Sequence, residues 1–249
     1  MSGVVCGLAE GVFRVAVCRL NVVDDAWGYA TAHATDIDRH WAQRSAENPH
    51  MFNGVIHLIS EVELKGERLD ARFLATDFRS YLYWRENGFP EAAVRDGFGS
   101  GLIRSSEGYV VLGRQRAGNV NAGLSYLPGG FIDPRDVTAE RMIDIEASIM
   151  REVAEETGLA GDNALPQPGF IVTSMGPYIS IAMEILVPLV GEEVRRRVLA
   201  HIADDPQSEL TDAVVVRDVA DLDGVAAPTH PYARRLLAWL FQRESAGNR

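Results

Sequence analysis

Between Ile143 and Thr157 the chain offers one helix with two chemically opposed faces. At about 100° per residue, Glu152, Glu155 and Glu156 fall within an arc of roughly 100°. The other side carries Ile143, Ala147, Met150, Val153 and Ala154, spaced as a half-buried helix needs to dock on a core. Like charges three and four residues apart cost a few tenths of a kcal/mol per pair, and the helix C-terminus disfavours negative charge further. A hard cation offsets that cost, because Mg²⁺ takes one or two carboxylates together with substrate phosphates. Gly158 then supplies the left-handed residue that ends the helix.

A charged helix face is most often simply solvated. Three neighbours argue for more here: Arg151 beside the acids, the Gly129-Gly130 turn upstream, and the glycine stop at Gly158. The run Arg151, Glu152, Val153, Ala154, Glu155, Glu156, Thr157, Gly158, Leu159 resembles the Nudix hydrolase signature at every position. That resemblance implies an α/β (α+β) protein, a Nudix α/β/α sandwich with mixed sheets. It further implies Mg²⁺, for which Mn²⁺ can substitute, held by Glu152, Glu155, Glu156 and the Gly130 carbonyl, with Arg151 orienting Glu152. Hydrolysis of a diphosphate by a metal-activated water is the reaction that would follow.

The upstream half departs from the family pattern, which places a Gly fourteen positions before the Arg and a Glu eight before it. Here Gly130 stands 21 positions before Arg151, and Ile143 occupies the Glu position. The insertion, within Asp133 to Asp144, lengthens the loop into the helix and offers Asp133, Asp136, Glu140 and Asp144 as replacements for the missing acid. Asp144 is equally suited to cap the helix.

Composition narrows the partners. A net charge of −11 leaves no basic footprint for a phosphate backbone, so long nucleic acid is not expected, whereas a small nucleotide can still meet a bound cation. No stretch of eighteen apolar residues suggests a membrane span, and the N-terminal segment, broken by Glu10 and Arg14, reads as strand and not as signal; a cytoplasmic location is expected. Cys6 and Cys18 lack metal or redox spacing and are expected to be reduced, and the six histidines form no zinc motif.

Along the chain, Val12 to Val23 predicts a strand, and Ala32 to Ala46 a helix capped by Thr35 or Asp36 with Ile37, Trp41 and Ala42 inward. A hairpin turning at Gly66 and a helix over Arg79 to Asn87 complete a small N-terminal α/β domain, 1–93, with the junction near Pro90. The remainder, 94–249, is the expected Nudix domain. Its glycines Gly97, Gly99 and Gly101 have the wrong spacing for a dinucleotide fingerprint and mark a strand entry. Strands follow at GFIVTSM, ISIAMEILVPLV and AVVVRDV, and helices at Glu192 to Ile202 and Pro231 to Arg243, the latter packed through Leu236, Leu237 and Leu240.

A fainter, nearly full-length resemblance, through IDRHW, NPHMFNG, RFLATDFRSYL, AMEILVPL and PTHPYARRLLAWL, is to the Nudix proteins that hydrolyse UDP-glucose and UDP-galactose to UMP and sugar 1-phosphate. In that animal group the box is degraded, whereas here it is complete, so the substrate need not be shared. The alternatives are a coenzyme A or ADP-ribose diphosphatase and a sensor that binds a nucleotide without cleaving it. Arg114 and Arg116 either reach substrate phosphates or are solvated edge residues. Glu184 interrupts an apolar strand and is either at a sheet edge or a further metal ligand, the second being preferred. Trp41, Tyr81, Tyr83 and Trp84 are read as core, and the N-terminal domain serves either base stacking or a homodimer interface.

Overall fold

The computed structural model describes residues 7–247. Cys6 lies outside them, and Cys18 is a free thiol. The stretch expected as one strand is broken at Ala16 into β1 (Gly11–Val15) and β2 (Val17–Val23). The break has a local cause: the Ala16 N–H turns to the Glu67 carbonyl at 2.7 Å, so the two halves enter different sheets. After α1 (Gly28–Ala32), helix α2 (Ala34–Glu47) starts from His33 with no side-chain cap, so neither Thr35 nor Asp36 caps it. Ile37 is buried, but Ala42 is exposed.

The hairpin of β3 (Val55–Lys65) and β4 (Arg68–Asp77) turns at Gly66, and β2 joins β4 in parallel to give a three-stranded sheet β2-β4-β3. Asp77 accepts the Ser80 N–H and so caps α3 (Phe78–Glu86). Then come β5 (Asp96–Arg104), β6 (Val110–Gln115), the short β7 (Ser125–Tyr126) and α4 (Ile145–Thr157). The chain continues through β8 (Leu165–Pro166), β9 (Phe170–Met175), β10 (Tyr178–Leu186), α5 (Gly191–Asp204), β11 (Leu210–Val216) and α6 (Pro231–Gly247). The main sheet has the order β1-β9-β10-β5-β6-β11; β5 and β10 run parallel, and the other pairs are antiparallel.

Strand alternation divides this sheet into two buried faces. Leu102, Val110, Leu112, Val214 and Val216 point to the side covered by α6, whose Leu236, Leu237 and Leu240 are buried there. Ile103, Val111 and Val215 point to the side covered by α4, α5 and the small sheet. The expected mixed α/β layering, with sheet between helices, is what the structure shows. Contacts cross the boundary expected at 93/94: β1 pairs with β9 in the main sheet, and Leu20, Ile59, Leu69 and Phe73 share one core with Ile145, Ile149 and Val153.

Helix α4 lies close to β5 because that strand presents glycine at alternate positions. A Cβ on Gly99 would stand 2.7 Å from Ile149, and one on Gly101 2.3 Å from Val153. The buried stripe of α4 is therefore Ile145, Ile149 and Val153, with Ser148 and Glu156 beside it; Ala147, expected inward, is exposed. Among the described residues no helix is long and apolar enough to cross a membrane.

Candidate active site

The acids of α4 are held from both ends of the helix. At its start Asp144 caps, accepting the Ala147 N–H at 3.0 Å. At its finish Gly158 adopts φ 70°, and His201 of α5 donates from Nε2 to the Glu155 carbonyl (2.9 Å), pairing one of the last helical carbonyls. The three glutamates differ in setting: Glu155 is half-exposed, Glu152 is mostly covered, and Glu156 is buried.

Glu156 accepts two hydrogen bonds, from the Tyr126 hydroxyl at 2.8 Å and from the Gly129 N–H at 3.1 Å. These favour its charged form, yet burial together with the nearby charges of Glu209 and Glu152 holds its pKa well above the usual carboxylate range. Burial also pushes Glu152 up to about 6; Arg151 opposes the shift, and Glu155 and Glu209 reinforce it. The Gly129-Gly130 turn comes so close that a Cβ on Gly130 would sit 2.6 Å from Glu152 Oε2, and one on Gly129 2.1 Å from the Gly99 carbonyl. At Gly129 the contact is backbone and only glycine fits, whereas at Gly130 a side chain would displace the Glu152 carboxylate.

Arg151 organises the cluster. It donates from Nη1 to Glu152 Oε1 (2.5 Å) and from Nη2 to Asp136 Oδ1 (2.8 Å), with Glu155 at 3.5 Å. Asp136, on the single 3-10 turn Pro134–Asp136, is 2% exposed at its side chain and also accepts the Asp133 N–H. Of the four acids in the inserted loop, Asp136 is the one that reaches Arg151. Asp144 serves the helix cap, Asp133 pairs with Arg135, and Glu140 is exposed.

Three sequence-nominated residues lie elsewhere. Glu184, preferred as a metal ligand, faces Arg104 (3.7 Å), which also pairs with Glu244 of α6; its partner is that cation, not the α4 acids. Arg114 donates to the Ala227 and Val225 carbonyls, and Arg116 to the Pro206 carbonyl, so both tie down loops. Gln115, between them, points the other way, as alternation along β6 demands, and lines the cavity.

That cavity, of about 770 Å³, is bordered by Gly129, Gly130, Glu152 and Glu155. It also receives Glu209, which the sequence reading missed. Glu209 precedes β11, and burial followed by the charge of Glu155 raises its pKa. No local motif marks it, because only the pairing of β11 with β6 carries it to α4. Tyr81 is buried as expected but also lines this cavity, whereas Trp84 is purely core.

The donor set suits a hard divalent ion: oxygen ligands, partly desolvated, with negative charge that the neighbouring cations leave uncompensated. Among the described residues, no three acidic, His or Cys side chains are gathered tightly enough to hold an ion as they stand. Glu152 Oε1 is engaged by Arg151, which leaves Oε2, beside Gly130, as its available oxygen.

Neither a family model nor a curated protein matches this chain. Solved structures do. One is the MutT protein from Methanosarcina mazei Go1, at 22% identity over 61% of this chain and 95% of that one, with a TM-score of 0.38. A second is the Nudix domain of Shewanella oneidensis NrtR complexed with ADP ribose, at 15% identity over 66% and 97%, TM-score 0.40. A third is a bifunctional NMN adenylyltransferase/ADP ribose pyrophosphatase from Francisella tularensis, at 14% identity over 66% and 45%, TM-score 0.42.

Proposed function

We propose that this protein is a Nudix-type pyrophosphohydrolase that uses a divalent cation, Mg²⁺ or Mn²⁺, to cleave the diphosphate of a nucleoside diphosphate joined to another group. The observation that carries this reading is the convergence of Glu152, Glu155, Glu209 and the Gly129-Gly130 turn on one cavity large enough for a nucleotide, with Glu152 braced from behind by the Arg151–Asp136 pair. Glu152 and Glu155 would hold the cation, with Gly130 beside them, and Glu156 belongs to the same acidic set. When bound, such an ion neutralises the diphosphate and lowers the pKa of a coordinated water.

The remaining work falls to the chain itself. Arg151 fixes the Glu152 carboxylate through its own anchor on Asp136, and Tyr126 with the Gly129 N–H fixes Glu156. Glu209 comes from a separate element, so it can take a proton from the attacking water without competing for the α4 positions. A UDP-sugar, cleaved to UMP and sugar 1-phosphate, is the substrate that the sequence resemblance favours; ADP-ribose and coenzyme A are the nearest alternatives. The reading keeps the division at 93/94, with β1 of the N-terminal part lent to the main sheet and the two parts sharing one core.

One observation favours a second reading, a sensor that binds without cleaving: the acid side chains are not gathered into a ready coordination shell. The deciding experiment is a panel of UDP-sugars, ADP-ribose, coenzyme A, dinucleoside polyphosphates and NTPs with Mg²⁺, scored by products, with Glu156→Gln alongside. Turnover by the wild type that Glu156→Gln loses supports the hydrolase; tight binding without turnover supports the sensor.

A further inference from the structure

A continuous polar chain runs along the cavity wall away from the acids. Tyr126, which donates to Glu156, lies 3.5 Å from Gln115 Nε2; Gln115 Oε1 accepts the Asn121 N–H at 2.6 Å, and Asn121 Oδ1 accepts from Arg85 at 2.8 Å. Arg85 Nη1 reaches the Tyr81 hydroxyl (3.3 Å), which donates to Asp96 Oδ2 at 2.7 Å. Asp96 ends the chain. It is 4% exposed, it lines the cavity, and its second oxygen, Oδ1, is buried with no hydrogen-bond partner.

A buried carboxylate oxygen without a donor is costly, so a native site that keeps one points to a donor arriving from outside. Arg85 is not that donor: Nη1 goes to Tyr81, and Nη2 to the Val120 carbonyl and Asn121. Burial raises the Asp96 pKa to about 6 against the pull of Tyr81 and Arg85, which leaves it ionised at neutral pH. The cavity surfaces around it are aromatic and come from two parts of the fold. Phe131 packs edge-on against Tyr81 (4.8 Å between ring centroids) and Tyr178 edge-on against His230 (5.2 Å), and all four rings line the cavity. Such walls accept a flat π-ring.

We propose that Asp96 is the specificity residue for the nucleoside, its Oδ1 accepting an N–H from the hydrogen-bonding edge of a nucleobase held between these aromatic walls. The proposal rests on the nucleotide reading above and adds to it where the base lies and which atom recognises it. An N–H donor to an ionised acceptor discriminates strongly, since an analogue lacking it leaves the carboxylate unpaired; about 10- to 100-fold in affinity is expected.

The test measures binding, so that it stands apart from catalysis. AMP, CMP and UMP are titrated calorimetrically into wild-type protein against matched analogues: purine riboside monophosphate, pyrimidin-2-one riboside monophosphate and 3-methyl-UMP. The first two remove an amino group without adding bulk. At least one natural nucleotide should bind 10-fold or more tightly than its analogue, and Tyr81→Phe/Asp96→Ala should shrink that ratio below about threefold. For uracil, a penalty that persists in the double variant is steric and counts against the proposal. Equal binding of every pair, an undiminished ratio in the double variant, or no nucleotide binding overturns it; if the double variant fails to fold, the two amino-deleted pairs decide on wild type. Asp96-dependent selectivity in a protein that turns over no diphosphate would sink the hydrolase reading alone. Turnover that ignores the missing N–H would sink only this one.

Discussion

Placing a single methyl group on β5 should move the acids of α4. In Gly101→Ala the new Cβ would stand 2.3 Å from Val153 Cγ2, where ordinary contact is 3.4–4 Å, so at least about 1 Å must be recovered. Val153 is β-branched and stiff in a helix, which denies it an easy rotamer escape, and Ile185 Cδ1 at 3.3 Å closes the other direction. The helix itself has to yield, and Glu152 is the adjacent residue. Overpacking of this kind costs about 1–3 kcal/mol, and displacing catalytic groups by about 1 Å can cost roughly 100-fold in rate. Urea unfolding of Gly101→Ala, Val153→Ala and the double variant measures the contact. The double variant should be less destabilised than the sum of the single variants by about 1–2 kcal/mol, with part of the lost turnover recovered. If the two substitutions add to within about 0.5 kcal/mol, helix and strand are not coupled as described.

Other outcomes follow from individual side chains. Asp136→Asn should lower turnover by about 10- to 100-fold by releasing Arg151 from its anchor, while Glu140→Gln, in the exposed part of the same loop, should match wild type in a steady-state assay. Glu209→Gln should reduce kcat by about 100-fold or more with little change in KM, as loss of a proton acceptor requires, and a KM effect alone would remove Glu209 from that role. For Asp96 the folded-state pKa of about 6 lies above its ordinary 3.8, so its ionised form opposes folding at neutral pH, and that penalty is relieved as pH falls through 6. Tyr81, Arg85 and Tyr178 face it without changing charge there, and neighbouring His230, pushed down to about 4, stays neutral; wild type should therefore gain about 1.4 kcal/mol over Asp96→Asn between about pH 7.5 and 5 in chemical denaturation.

What the sequence disclosed, and what it withheld, follows the range of the interactions. The acid run, its glycine stop and the Asp144 cap are settled within a few turns of one helix, and all three appear in the structure. The rotation of that helix was misread by part of a turn, because β5 decides which residues go inward, and its glycines at Gly99 and Gly101 admit Ile149 and Val153 while Ala147 stays in solvent. Arg114 and Arg116 show the limit of strand reading: alternation puts them on one face together, but only the sheet determines that Gln115 has the cavity. Glu184 interrupts an apolar strand for the sake of Arg104, a partner eighty positions away in the chain. Glu209 and Asp96 carried no local signal, since each reaches the cavity through strand pairings between distant segments. The insertion before α4 was visible as a count, and the structure gives it a purpose by delivering Asp136 to Arg151.

The chemistry is tested most directly by product analysis in ¹⁸O-labelled water, with Mg²⁺ present and then chelated, on the diphosphate substrate the wild type turns over best. A metal-dependent cleavage that places one ¹⁸O on a phosphate product, and that Glu156→Gln abolishes, is the expected result. Absence of turnover across the whole panel, or cleavage that is indifferent to chelation and to Glu156, contradicts it.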